Sequence, residues 1–252
     1  MRLARGNFAS LCLPVAVAAW LATPLSDQAR AQPTADLLVA CKSERGAAAG
    51  RTAACSRLID DASVDEDIRA EAHLQRGLLH EQAGDKEAAI KDYSATIKID
   101  QSNALAYFNR GNVYDQMGEY DRAIEDYTEA LKLDPADADT YNNRGQVYDA
   151  KGEYDLAIAD YTHAIRLEPK NPRAYFNRGL ALAAKTEYRR AIADFDQAIR
   201  LDPGDAENYV ARGTAHEELG DQAAARADYR KALQLVPEHE DAKEGLERLG
   251  DK

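Results

Sequence analysis

The sequence has few of the residues from which catalytic and metal sites are built. Its 252 residues include three cysteines, five histidines and one tryptophan. It contains no nucleophile elbow, no phosphate-binding glycine loop and no histidine pair at the spacing of metal ligands. The histidines are scattered, and we interpret them as packing or surface residues: His73, His80, His163, His216 and His239. We therefore predict a protein that is not an enzyme and that binds no cofactor or metal.

Basic residues are outnumbered by acidic ones. The chain has 32 lysines and arginines against 44 aspartates and glutamates, which gives a formal net charge of −12. No stretch of the chain forms a basic stripe. Because an acidic surface repels nucleic-acid phosphates, we predict that the protein does not bind nucleic acid.

A long hydrophobic run is also missing. The apolar stretch Leu11–Ala22 is too short for a membrane anchor, since a helix that spans a bilayer needs about 20 residues. Two arginines precede it, and the small residues Ala29 and Ala31 come after it. This pattern predicts a secretory signal peptide over residues 1–31, cleaved after Ala31. The leader holds three arginines and one aspartate, so its removal would change the net charge from −12 to −14. We predict a periplasmic or secreted protein with no membrane span in its mature form.

Two cysteines, Cys41 and Cys55, remain after this cleavage. An exported pair in an oxidising compartment indicates one disulfide bond. Their spacing is too long for CxxC redox chemistry, and no histidine lies near them in sequence to complete a metal site. We therefore predict a structural disulfide between these two residues.

Two helices are predicted around the cysteines. Apolar residues at three- and four-residue steps favour helices over Thr34–Glu44, with Thr34 as N-cap, and over Arg51–Asp61. In the second, Ala62 continues the apolar face. A short loop would make the two helices antiparallel and bring the cysteines together. We predict that residues 32–69 form a helical hairpin that caps the N-terminal end of the segment starting near residue 70.

The rest of the chain repeats itself every 34 residues. The stretch Tyr107–Pro135 returns from Tyr141 and again from Tyr175. A fixed period of this length indicates stacked supersecondary units. Each unit has a glycine, an alanine twelve residues later and an aromatic residue four beyond that. The glycines are Gly77, Gly111, Gly145, Gly179 and Gly213, and the aromatic residues are Tyr93, Tyr127, Tyr161, Phe195 and Tyr229.

Each unit encodes a pair of helices. Apolar residues recur at helical spacing on both halves of the unit. Gly111 and Ala123 are small where the two helices must approach closely, and Gly118 permits the left-handed turn that ends the first helix. Pro135 ends the second helix because the residue before a proline is disfavoured in helical geometry. One hairpin cannot bury its apolar face alone, so stacking of the units is expected.

The pattern resembles the tetratricopeptide repeat. That family has an aromatic, glycine, aromatic, alanine, aromatic, alanine and proline at the positions of Tyr107, Gly111, Tyr114, Ala123, Tyr127, Ala130 and Pro135. The resemblance covers about residues 70–239. It implies an all-α, right-handed solenoid of five units, at 70–103, 104–137, 138–171, 172–205 and 206–239. A capping helix over His239–Leu249 and a tail would complete the C-terminal segment 240–252.

Two departures from the family pattern carry expectations of their own. The first repeat has His73 and His80 at its two early aromatic positions. The fourth has Thr186 in place of the turn glycine, so we expect backbone strain or a different turn there. Neither departure changes the predicted fold.

A further regularity is an arginine before each glycine and an aspartate before each second-helix aromatic residue. We predict that these residues form a ladder of Arg–Asp pairs between helices. The alternative is that each arginine faces solvent or a ligand. The residues are Arg76, Arg110, Arg144, Arg178 and Arg212, and Asp92, Asp126, Asp160, Asp194 and Asp228.

The resemblance also implies a concave groove lined by the first helix of each unit, in which a peptide lies. Asparagine amides suit a peptide backbone, and Phe108 and Phe176 would be apolar anchors. The inward positions are Leu105, Phe108, Asn109, Asn112 and Asp115; Asp139, Asn142, Asn143, Gln146 and Asp149; Arg173, Phe176, Asn177 and Leu180; and Glu207, Val210 and Glu217.

One subtype of the family clamps a C-terminal carboxylate, and this chain fits it only in part. Asn112, Asn143 and Arg173 match its pattern, but Phe108 replaces a lysine and Asn177 an arginine. We therefore expect a basic or neutral protein segment as partner. The sequence favours a non-enzymatic scaffold of the bacterial cell envelope. The alternative is an assembly subunit that associates with itself through its ends or its convex face.

Overall fold

The computed structural model describes residues 25–43 and 47–250, in which the chain forms thirteen α-helices and no strands. Most of the predicted signal peptide lies outside the described residues, as does Glu44, the predicted end of the first helix. No helix in the described part is long and apolar enough to cross a bilayer. The helices are α1 Leu25–Lys42, α2 Ala48–Asp60, α3 Glu66–Gln82, α4 Lys86–Ile99, α5 Ala104–Gln116, α6 Tyr120–Leu133, α7 Ala138–Ala150, α8 Tyr154–Leu167, α9 Pro172–Ala184, α10 Tyr188–Leu201, α11 Ala206–Glu218, α12 Gln222–Leu235 and α13 Glu240–Arg248.

The helices stack as a curved double layer. Each helix packs against the next one in sequence, and each odd-numbered helix from α1 to α11 also contacts the next odd-numbered helix. The even-numbered helices make no such contacts with one another within the described residues. A layer whose members touch must lie on the inside of the curve, and a layer whose members are apart must lie on the outside. The odd-numbered helices therefore form the concave surface, and the predicted all-α solenoid is confirmed.

In each of the five units, α3–α4 to α11–α12, a glycine of the first helix packs against an aromatic ring of the second helix. A Cβ atom on Gly111 would lie 2.9 Å from Cε1 of Tyr127, whose side chain is fully buried. Such a distance leaves no room for a methyl group in a packed core. The same contact recurs at Gly77–Tyr93, Gly145–Tyr161, Gly179–Phe195 and Gly213–Tyr229. The predicted role of the small residues is confirmed.

The turn inside each unit needs a left-handed residue. Gly118 has φ of +75°, and Thr186 has φ of +62° at the same position of the fourth unit. An L-amino acid with a β-branched side chain is strained in this region. The strain expected at Thr186 is therefore present.

The Arg–Asp ladder is confirmed, and each pair joins the two helices of one unit. Arg144 donates from Nε and Nη2 to the two carboxylate oxygens of Asp160, at 2.7 and 2.8 Å. Its guanidinium carbon lies 5.8 Å from the ring centres of both Tyr141 and Tyr148. Arg76, Arg110, Arg178 and Arg212 make the same two-pronged contact with Asp92, Asp126, Asp194 and Asp228.

The remaining nitrogen of each arginine joins its unit to the preceding one. Nη1 of Arg144 donates to the Thr128 hydroxyl of α6 at 3.0 Å. The acceptors in the other units are Ser56, Ser94, Thr162 and, for Arg212, the carboxylate of Asp196. One side chain therefore fixes both the pairing of helices within a unit and the register between units.

The first helix differs from the prediction. It begins at Leu25, so Thr34 lies inside it and is not its N-cap. Residues 25–32 contain no glycine or proline, and the helix continues through Pro33, which removes one backbone hydrogen bond and crowds the preceding turn. The predicted cleavage site at Ala31 falls within α1.

The second helix and the start of the repeats also differ in detail. Helix α2 begins at Ala48, inside the predicted loop, and ends at Asp60. Ala62 lies beyond the helix and is exposed, so it does not continue the apolar face. Helix α3 begins at Glu66 and not at Ala70, because Asp65 and the acidic first turn suit a helix N-terminus.

The hairpin α1–α2 stacks on the repeats as a further unit. Helix α1 contacts α2 and α3, and Ser56 of α2 accepts the inter-unit bond from Arg76. Ser56 comes directly after Cys55 as Ser94 comes after Tyr93, so Cys55 holds the position of the recurring ring. The sulfur atoms of Cys41 and Cys55 are bonded, with their Cα atoms 4.9 Å apart. This disulfide joins the two helices where a glycine–aromatic contact joins them elsewhere.

The last described helix, α13, packs as half of a unit. Helix α13 lies within the predicted range His239–Leu249, and His239 and Leu249 flank it as its caps. Ala242 is fully buried, and Gly245 packs against the ring of Tyr229. The outward residues of α13 are charged, which closes the core with a polar face.

Candidate binding groove

The concave surface carries the side chains predicted to face a ligand, at three levels of exposure. Leu105, Asp139, Arg173 and Leu180 are exposed. Asn109 and Asn142 are buried in the free protein, with 6% and 3% of their surface accessible. The others are half-buried: Phe108, Asn112, Asp115, Asn143, Gln146, Asp149, Phe176 and Asn177.

Two phenylalanines contribute accessible apolar area to this surface. The Phe108 ring lies 6.0 Å from Tyr127, and the Phe176 ring lies 5.9 Å from Phe195, both in tilted geometry. One side of each phenylalanine is therefore held by the core of its own unit, and part of the other side remains accessible. Leu105 and Leu180 add apolar surface at 50% and 39% exposure.

The amide side chains bind one another across neighbouring units. Asn112 Oδ1 accepts from the Tyr127 hydroxyl at 2.7 Å and from Asn143 Nδ2 at 3.0 Å. Asn177 Nδ2 donates to Asn142 Oδ1 at 3.1 Å. The sequence predicts these amides as peptide contacts, but each of them already uses one hydrogen bond to join first helices. Gln146 is likewise engaged, since it accepts from Arg173 at 3.2 Å.

Asn109 holds the same position in its unit as Asn143 and Asn177, but it does not make their hydrogen bond. Its Nδ2 atom is buried and makes no hydrogen bond among the described residues. Asn143 and Asn177 donate to residues 31 and 35 positions earlier. For Asn109 those positions hold Leu78 and Leu74, which cannot accept. An unsatisfied buried donor of this kind costs about 1–3 kcal/mol.

A column of acidic residues runs along the groove, and two of its members already have hydrogen-bond partners. Glu81 accepts from the Tyr93 hydroxyl at 2.8 Å and lies 3.4 Å from Gln116 Nε2. Glu217 accepts from the Tyr229 hydroxyl at 2.7 Å and from Arg248 at 3.1 Å. Sequence reasoning did not assign Glu81 to the groove, although a shift of 34 residues from Asp115 would have found it.

Asp115 and Asp149 hold the same position in units two and three but have no hydrogen-bond or ion-pair partner in the described part of the chain. Burial raises the pKa of both carboxyl groups. Burial, and next the negative charge of Asp115, also raise the pKa of Tyr127, and Asp149 has the same effect on Tyr161. Each aspartate therefore lies beside the tyrosine of its own unit.

Metal chemistry finds no support in this region. The described residues contain no group of three or more histidine, cysteine, aspartate or glutamate side chains that could hold a metal ion. In the first repeat, His73 Nδ1 lies 2.8 Å from Asp92 Oδ1, so this histidine supplements the Arg76 contact. It is a packing residue, as predicted for the histidines.

Solved structures similar to this chain include repeat proteins of the same architecture. YrrB, a TPR protein with an unusual peptide-binding site, is 24% identical, with a TM-score of 0.68, over 78% of this chain and 99% of its own. MamA is 29% identical, with a TM-score of 0.62, over 66% of this chain and 96% of its own. Pseudomonas aeruginosa pilF is 23% identical, with a TM-score of 0.63, over 74% and 86%. Curated protein sequences give no significant match.

Family profiles match the repeats directly. A profile described as TPR repeat matches residues 77–118, 111–152 and 148–186, and one described as tetratricopeptide repeat matches 176–240. Together they span more than half of the chain. The positions that recur in the matched units are the glycine packed on an aromatic ring and the left-handed turn described above. The chain belongs to the tetratricopeptide repeat family, whose fold generally serves protein–protein interaction.

Proposed function

We propose that this protein is a non-enzymatic scaffold that binds an extended segment of another protein in its concave groove. The observation that carries the proposal is the accessible apolar surface of Leu105, Phe108, Phe176 and Leu180 on the inner layer of helices. Exposed apolar side chains framed by polar ones mark interaction surfaces.

We also propose that it acts in the bacterial cell envelope, after export and removal of residues 1–31. The pair Cys41–Cys55 supports this location, because a disulfide persists in an oxidising compartment. Mass spectrometry of the exported protein tests both points. The expected result is an N-terminus at Gln32 and no free thiol. An uncleaved chain with reduced cysteines would contradict the location.

The groove is tested by capture in the native envelope. Crosslinking and identification of the captured chain would give the partner. A variant with Phe108→Ala, Phe176→Ala and Asn143→Ala should keep its helicity and lose that partner. The matched control replaces three exposed leucines at the ends of the outer helices: Leu133→Ala, Leu167→Ala and Leu201→Ala. Undiminished capture by the groove variant would refute groove binding.

A second candidate is an assembly subunit that associates with itself. Leu133, Leu167 and Leu201 favour it, because they expose 38–41% of their surface at 34-residue steps along the outer layer. Sedimentation velocity over a range of concentrations separates the two candidates. Under this second proposal the wild type forms larger species that the leucine variant does not. A monomer at every concentration contradicts it.

A further inference from the structure

We propose that units two and three select a segment with two basic side chains three residues apart. The inference rests on the proposed groove function and specifies its partner. Asp115 and Asp149 stand at the same position of α5 and α7, which contact each other. Both carboxylates are half-buried and lack a cation among the described residues. A lysine or arginine from the partner supplies the missing charge at each.

The spacing follows from the stacking of the helices. The axes of packed helices are about 8–10 Å apart, so equivalent side chains on α5 and α7 are separated by a similar distance. A segment in the polyproline II conformation advances about 3.1 Å per residue with three residues per turn, so side chains at i and i+3 lie on one face about 9 Å apart. Lysines at i and i+3 of such a segment therefore reach the two aspartates together, and adjacent lysines, which point to different faces, do not.

The residues at the ends of the acidic column determine which units receive the two basic side chains. Glu81 and Glu217 already have partners in their own neighbourhood. The fourth unit has Ala183 at the same position, which offers no carboxylate. A third basic side chain on that side would find no negative charge at this position. The groove therefore accommodates two cations, and a neutral residue next to them.

An independent feature at the same place calls for a ligand. Asn109 of α5 has a buried amide nitrogen without an acceptor, because Leu74 and Leu78 of α3 replace the asparagines that serve later units. Its equivalents Asn143 and Asn177 donate across the boundary to the preceding first helix. A backbone carbonyl of a segment that passes from α7 to α3 supplies this acceptor. Asn109 would then hold the main chain while the two aspartates read the side chains.

Fluorescence anisotropy with short labelled peptides tests the proposal on the purified protein. Three probes share one composition apart from the charged pair: lysines separated by two residues, adjacent lysines, and glutamates separated by two residues. The first should bind about tenfold more tightly than either other probe, a difference of about 1.4 kcal/mol. Equal affinity for spaced and adjacent lysines would overturn the proposal, as would the absence of binding by all three.

Variants locate the effect. Asp115→Asn and Asp149→Asn are nearly isosteric, and each should weaken the spaced-lysine peptide about tenfold; the exposed, unpaired Glu125→Gln of α6 is the charge-matched control and should change nothing. Asp115→Lys with Asp149→Lys should reverse the preference toward the glutamate peptide. Binding that is lost in Phe108→Ala but unaffected by both Asn variants would overturn this proposal and leave groove binding intact. Partner capture that is unaffected by the groove variant would instead contradict the proposed function.

Discussion

The contact between Arg144 and Asp160 makes a quantitative prediction about stability. Both side chains are largely buried, with 16% and 7% of their surface accessible, and they share two hydrogen bonds. Arg144→Met keeps the apolar stem but leaves the Asp160 carboxylate without its counter-charge. Breaking a buried pair in this way costs about 3–5 kcal/mol. The Met side chain also gives up the bond to Thr128, which lies in the neighbouring unit.

A double-mutant cycle separates the pair from these other losses. Asp160→Asn alone should cost about 1.5–3 kcal/mol, the usual range for a hydrogen bond to a charged group. In the double variant no buried charge remains unpaired, so the total should fall short of the sum by about 2 kcal/mol. Arg144→Lys should also lower the free energy of unfolding, because an ammonium group cannot make both bonds to Asp160 and the third to Thr128.

The assay is urea denaturation followed by circular dichroism, with native-state hydrogen exchange in α7 and α8 to locate the loss. Lys132→Met is the control, since that lysine is 63% exposed and pairs with Glu129 at the surface. It should cost no more than about 1 kcal/mol. Additive effects of the two substitutions, within about 0.5 kcal/mol, would refute a paired ladder.

Three further substitutions test separate features. Thr186→Gly relieves a left-handed strain of about 1–2 kcal/mol at an entropic cost of about 0.5–1 kcal/mol, a net gain of up to about 1.5 kcal/mol, so a calorimeter should show Tm higher by up to about 6 °C; a lower Tm would contradict the strain. Asp149→Asn should be more stable than wild type at neutral pH, because burial raises the pKa of Asp149 in the folded state and disfavours its charged form. As pH falls through that raised pKa toward the ordinary value near 3.9, wild type gains stability by protonation and the difference should vanish; a constant difference in urea titrations would refute this. Cys41→Ser should remove about 3 kcal/mol of stability from α1–α2, seen as faster hydrogen exchange confined to that hairpin; unchanged exchange would refute it.

The features that can be predicted from sequence are those that repeat within one unit. Gly111 and Tyr127 lie on two helices joined by a short turn, and their separation of sixteen residues fixes them on facing sides. The Arg144–Asp160 pair has the same separation and is predictable for the same reason. Strain at Thr186 is predictable because the other turns of this type carry glycine.

Features that depend on how units meet are not predictable in this way. The third bond of Arg144 reaches Thr128, and Asn143 reaches Asn112, across a boundary whose geometry depends on the angle between units. Periodicity records the spacing along the chain but not that angle. The missing acceptor of Asn109 has the same origin, because Leu74 and Leu78 of α3 hold the positions from which asparagines serve later units, a difference that matters only once α3 and α5 are stacked.

The start of α1 departs from the prediction for a different reason. Thr34 is a good N-cap residue, and pattern reading favours a boundary at such a residue. Here the helix runs through Pro33 and begins at Leu25, although a proline inside a helix normally ends or kinks it. Local signals indicate where a helix can begin, but they do not exclude an earlier start.

The gap between the outer helices has a mechanical consequence. Because the backbones of α4, α6, α8, α10 and α12 do not approach one another closely in the described structure, the curvature of the stack can change with little disturbance between them. Bending is resisted on the inner side, where first helices share hydrogen bonds such as Asn143–Asn112 and Asn177–Asn142. The resistance of the solenoid to bending therefore lies in its concave face. A segment that fills this face adds cross-links where the stiffness already resides, so an occupied groove is a more rigid one.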